Sequence, residues 1–157
     1  MKQRIFIVFA SILLVSALAF ASGPDDIVGM WNTEKKDAKI EIYKCGTDYC
    51  GKIAWLKEPT YPAGSRDGVP GTPMLDHNNP NPALRKKPLI GLEMLFGFVF
   101  TDDNLWKNGK IYDSDNGKMY SGKLTLISPD KLNVRGFIGI SLFGGSTTWT
   151  RAKAGNK

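Results

Sequence analysis

The chain has 157 residues, 42% of them hydrophobic, with 21 lysines and arginines against 15 acids and a formal net charge of +6. One histidine excludes a multi-histidine metal centre, and the two cysteines, once bridged, leave no thiolate for zinc or copper. The cations are scattered, without the dense basic cluster of a nucleic-acid binder.

The start reads as an export signal. Lys2 and Arg4 form a basic head, Ile5 to Phe20 is an apolar run, and Ala19-Phe20-Ala21 puts small residues around a cleavage point after Ala21. The run falls short of the roughly 20 residues that span a bilayer, and no nearby cysteine offers a lipid attachment, so no stable membrane anchor is expected. Residues 22–157 are then one domain in an oxidising compartment, periplasmic or secreted, large enough to bury a core unaided.

Ala38 to Leu56, "AKIEIYKCGTDYCGKIAWL", alternates apolar and polar residues on both sides of the turn "GTDY", the pattern of a half-buried hairpin. Placing Cys45 opposite Cys50 pairs Ile42 with Ile53 and Ile40 with Trp55 on one face, and directly opposed residues are close enough for a disulfide. Closing so short a loop stabilises by about 2 kcal/mol, so the bridge sets register more than stability. The spacing is not the C-x-x-C of a redox pair.

Residues 57–90 follow, a stretch far longer than a hairpin loop of about two to five residues and holding seven of the nine prolines. Asp76, Asn78, Asn79 and Asn81 supply side chains for local turns, so the stretch reads as an ordered lid over one end of the domain, either a gate or a plug. Asp76, Asn79 and Arg85 are its candidate mouth residues. Arg85 is the choice for an anionic headgroup because its planar fork matches a carboxylate, with bonding to the lid's own carbonyls as the alternative.

Gly91 to Phe100 puts Leu92, Met94, Phe96, Phe98 and Phe100 on one face of a strand. A meander follows through Ile140, with a tight primed turn at Asn116-Gly117 and a type I turn at Ser128-Pro129-Asp130. Pairing Leu126 with Leu132 sets Leu124 against Val134 and Tyr120 against Ile138. "STTWTRA" closes the chain as a last strand. Eight or nine short strands in meander order, with glycines distributed among them, fit an all-β, single antiparallel up-and-down barrel, with a sandwich as the alternative.

"GMW" at Gly29 to Trp31, with "TWTR" at Thr148 to Arg151, resembles the lipocalin and calycin pattern. That resemblance implies Arg151 lying across the Trp31 indole to close the barrel base. The ordered set "GMW", "CGTDYCGKIAWL", "DHNNPNPALRKKPLIG", "GKIYDSDNGKMYSGKL" and "VRGFIGISLFGGSTTWTR" is similar to the secreted bacterial family known as domain of unknown function 2147. It implies a lipocalin-like barrel and no established activity.

Candidate chemistry is sparse. "DSDNG" at Asp113 to Gly117 has glycine where a calcium loop needs an oxygen ligand, and no G-x-S-x-G elbow accompanies His77. A hydrolase would require Asp67, Asp76, Asp102 and Asp103 to converge at one end. No catalytic residue, metal or cofactor is assigned. The leading expectation is a non-enzymatic barrel holding a small apolar or amphipathic molecule, with Trp55, Phe96, Phe98, Tyr120, Leu124 and Val134 lining the interior and Tyr120 as polar handle. The alternative is a packed barrel working as an envelope interaction module through its lid and "FIGISLFGG"; its protein partner is not specified.

Overall fold

The computed structural model describes residues 22–153, so the expected export signal and its cleavage point lie outside the described residues. Eight strands run in chain order: β1 (Gly29–Asn32), β2 (Ala38–Cys45), β3 (Asp48–Leu56), β4 (Glu93–Phe100), β5 (Leu105–Asp113), β6 (Lys118–Ser128), β7 (Lys131–Phe137) and β8 (Gly144–Arg151). Each pairs antiparallel with the next, and β8 returns to β1 through Trp31–Arg151 and Asn32–Thr150, closing an up-and-down barrel. Closure leaves no sheet edge unpaired. One 3-10 turn, Pro82–Leu84, is capped by the Asn81 side chain.

The hairpin of β2 and β3 is tighter than its sequence suggests. Cys45 pairs with Asp48 around a two-residue turn at Gly46-Thr47, with Gly46 at φ 71°, because two-residue turns with a left-handed glycine match the twist of a hairpin. Cys50 therefore pairs with Tyr43, and the cysteines bridge diagonally with their Cα atoms 5.8 Å apart. The expected pairs shift by two residues: Ile40 faces Ile53, and Ile42 faces Gly51. Glycine at 51 leaves room for Leu95, whose Cδ1 would lie 2.8 Å from an added Cβ.

Bulges then reassign faces. An extra residue in β3, Ala54, lets Trp55 pair with Lys39, so Leu56 turns inward and Trp55 outward, 41% exposed with Lys39 Nζ 5.2 Å from its ring centre. In β4 the pairing slips at Met94 and again at Gly97, which sits at φ 62°. Leu95 and Phe98 point into the core, and Phe96 pairs with Lys110 on the outer surface. A single-residue insertion flips every later side chain to the other face, and the second insertion restores it. The β6–β7 register follows the expected pairing, with Leu126 on Leu132 and Leu124 on Val134, although β7 ends at Phe137 before Ile138. The β5–β6 connection spans four residues instead of two: Asp113 pairs with Lys118, and Gly117 at φ 67° donates back to Asp113.

The two ends of the barrel differ. At the closed end, the segment before β1 folds under the floor: Trp31 Nε1 donates to the Ile27 carbonyl at 2.8 Å and Trp106 Nε1 to that of Pro24 at 3.1 Å. Arg151 lies with its guanidinium carbon 4.3 Å from the centre of the Trp31 ring. With Ile27 and Trp31 at this floor, Ile42, Tyr49, Phe98, Trp106, Leu124, Leu126 and Leu132 form a filled core.

Candidate functional site

The upper half of the barrel is not filled. A cavity of about 910 Å³ opens between the β1–β2, β3–β4, β5–β6 and β7–β8 connections. Its wall is apolar: Ile40, Ile53, Ile111, Val134 and Trp149 from the strands, with Leu56, Leu92 and Met94 nearer the rim. Gly136 and Gly145, paired across β7 and β8, replace side chains with space. Tyr120 brings the one phenol on the inner face of β6, its hydroxyl accepting from Asn116 Nδ2 at 3.1 Å.

The Pro-rich connection, residues 57–92, adds Met74 and Leu89 to the same wall. It is organised without regular strands, through bridges at Thr60–Pro73 and Leu75–Pro88. Tyr61, buried, donates or accepts with His77 Nε2 and accepts from the Leu75 amide at 2.9 Å. Asp76 is 1% exposed and accepts from the Tyr112 hydroxyl at 2.8 Å and from Asn79 Nδ2 at 2.7 Å, while its amide donates to the Lys87 carbonyl. Asn78 donates to the carbonyls of Ser114 and Asp115, tying the connection to the β5–β6 turn. A buried carboxylate satisfied on both oxygens is a structural strut.

Of the six residues expected to line the interior, Tyr120 and Val134 do so. Leu124 and Phe98 belong to the packed layer beneath the cavity, and Trp55 and Phe96 are turned outward by the bulges. At the mouth, Arg85 Nε donates to the Asn79 carbonyl at 2.7 Å and does not reach the cavity wall. Trp149 was not expected there, although the alternation through "TTWTR" places it inward. The rim was also missed: Asp37, Glu58, Asp113 and Asp115 stand around it against a single cation, Lys57. Those residues come from three separate stretches of the sequence, so only the folding of the barrel assembles them. The four aspartates that a hydrolase would require at one end are split: Asp102 and Asp103 lie in the β4–β5 turn at the closed end, and Asp67 and Asp76 lie in the connection at the open end.

Three phenols titrate high. Burial first, then the bond to Asp76, pushes Tyr112 up to about 12. Burial and the bond to Asp25 do the same for Tyr49, and the hydrogen bond to Glu93 for Tyr43. A raised folded-state value means the neutral phenol is favoured in the fold, so this stability is complete below about pH 10, the ordinary tyrosine value, and is lost as pH rises through about 12. Thermal melts between pH 9 and 12 are expected to show a falling midpoint, with a shallower slope in Tyr112→Phe. Equal slopes would remove Tyr112 from the alkaline transition.

The family model that matches this chain over residues 29–151 describes an uncharacterised protein conserved in bacteria. The chain belongs to that family, domain of unknown function 2147. The match runs from the first residue of β1 to the last of β8, so the family unit is the whole barrel. Among solved structures, HP1028 from the human pathogen Helicobacter pylori, described as belonging to the lipocalin family, superimposes with a TM-score of 0.66 at 20% identity, covering 81% of this chain and 83% of that one. At that identity the likeness establishes a lipocalin-like fold for this member of the family. No curated protein sequence matches the chain.

Proposed function

We propose that this protein is a non-enzymatic binding protein of the bacterial envelope that holds a small apolar or amphipathic molecule in the upper half of its barrel. The observation that carries this reading is the cavity of about 910 Å³ with an apolar wall above a filled floor. Pockets for small ligands typically enclose about 300–1,000 Å³ and combine apolar walls with few polar groups. The periplasmic or secreted location rests on the N-terminal pattern of Lys2 to Ala21 and on the Cys45–Cys50 bridge. We read the 57–92 connection as a fixed wall of the site, because Asp76 and Asn78 pin it to β5 and to the β5–β6 turn.

The rim sets the headgroup. Four carboxylates against one lysine make a negative mouth, which disfavours an anionic head and suits a neutral or cationic one. Arg85, bonded within the connection, does not offset it. Nile red displacement by a long-chain amine, alcohol and carboxylate of equal length tests this. The amine is expected to compete best and the carboxylate worst, by about fivefold per rim charge pair of about 1 kcal/mol. Arg85→Gln should leave all three unchanged. A preference for the carboxylate, or its loss in Arg85→Gln, would reject the headgroup assignment; failure of Nile red to bind would reject the site.

A further inference from the structure

The β7–β8 connection exposes a concentration of large apolar side chains that the barrel does not use. Ile138, Ile140, Leu142 and Phe143 are all more than half exposed, Leu142 at 77%, within six consecutive residues. Burying such groups is favourable, so their common exposure on one hairpin marks a surface made to be covered.

The loop is held in shape while its side chains face outward. Arg135 on β7 donates through Nε and Nη2 to the Ser141 carbonyl at 3.0 and 2.6 Å, and through Nη1 to Ser146 Oγ at 2.9 Å. Ile138 and Phe143 close the hairpin backbone, and Gly139 at φ 71° makes the turn. The loop's carbonyls are thus partly satisfied from below.

Beside it lies a cationic stripe. Lys107, Lys110 and Lys123 share a shallow depression with Phe137 and Ser141 at the base of the loop. β6 and β7 contain no acid, and the only one in β5 is its last residue, Asp113. Apolar side chains at a tip with lysines set back from them match the two layers of an anionic bilayer: the acyl boundary takes the apolar groups, and the phosphate layer takes the ammonium groups. We infer that this face docks on an anionic lipid surface, with Ile138, Ile140, Leu142 and Phe143 entering the interface and Lys107, Lys110 and Lys123 meeting headgroups. The docking does not depend on what occupies the barrel.

Co-sedimentation with vesicles of phosphatidylcholine alone and of phosphatidylcholine with phosphatidylglycerol tests the inference. The protein is expected to pellet with the anionic vesicles and not the neutral ones, and to be released at about 1 M salt, where the screening length falls to about 3 Å. Leu142→Ser with Phe143→Ser should weaken partition at least tenfold without altering the melting temperature, since neither side chain is packed. Lys107→Gln, Lys110→Gln and Lys123→Gln together should do the same. Failure to bind anionic vesicles, or binding indifferent to both sets of changes, overturns the inference. Self-association in sedimentation that the loop changes abolish, with no vesicle binding, would assign the patch to a second copy of the chain instead.

Discussion

Trp31→Ala is expected to cost about 3–5 kcal/mol, the range for removing a buried tryptophan, and to lower the melting temperature by roughly 10–20 °C. Trp31 is fully buried, its indole N–H is bonded to Ile27, and its ring forms the floor on which Ile27 and Arg151 rest. Deleting it removes packing, leaves the Ile27 carbonyl without its donor and exposes the underside of the Arg151 guanidinium to water. Arg151→Lys should be milder. It keeps the charge over the ring but gives up the fork that reaches the carbonyls of Asp26 at 2.6 Å, Val28 at 3.1 Å and Pro129 at 2.8 Å. Since domains of this size have about 5–15 kcal/mol to lose, Trp31→Ala should leave a marginal fold. Differential scanning calorimetry checks both; a loss below about 1 kcal/mol in Trp31→Ala would mean the floor does not hold the barrel.

Gly136→Phe is expected to abolish Nile red binding while keeping or raising the melting temperature. A Cβ at 136 would meet Tyr120 Cβ at 3.6 Å and Ile111 Cδ1 at 3.8 Å, ordinary contacts, and the ring beyond it points into the cavity. The site is lost by filling, and replacing a strand glycine favours the fold. Gly122→Ala is the contrasting control. There a Cβ would lie 2.8 Å from Phe98 Cζ and 2.8 Å from Ile111 Cγ1, so the packed layer must give way and stability should fall. Binding retained in a folded Gly136→Phe protein would place the ligand outside the barrel.

Strand content, antiparallel meander order and the pairing of β6 with β7 were legible in the sequence because alternation of apolar and polar residues is a local signal that survives wherever a strand has one wet face. The Trp31–Arg151 pair was named from two short motifs at the chain ends, and the structure shows the guanidinium over the indole. The Cys45–Cys50 bridge was legible too, although its pairing partners were not. Alternation cannot register an inserted residue. Ala54, Met94 and Gly97 each add one to a strand, and Trp55 and Phe96 move to the outer surface as a result.

The site was the least legible feature. Which inward side chains fill the barrel and which surround empty space depends on their height along its axis. Leu124 and Val134, paired neighbours in the expected register, end respectively in the filled layer and on the cavity wall. The acidic rim joins the last residue of β5 to residues from three connections. Asp76, which looked like a mouth residue, is drawn beneath the connection by Tyr112 and Asn79, because a carboxylate that leaves water must find donors. By itself the sequence determined an antiparallel meander and its bridged hairpin, since those rest on local periodicity, while the closed barrel and the Trp31–Arg151 seal of its floor came from the resemblance carried by short motifs. Only the tertiary structure decided where the barrel is hollow, what charge rings its mouth and which side chains face that space, because each of these follows from bulges and closure that bring distant segments together.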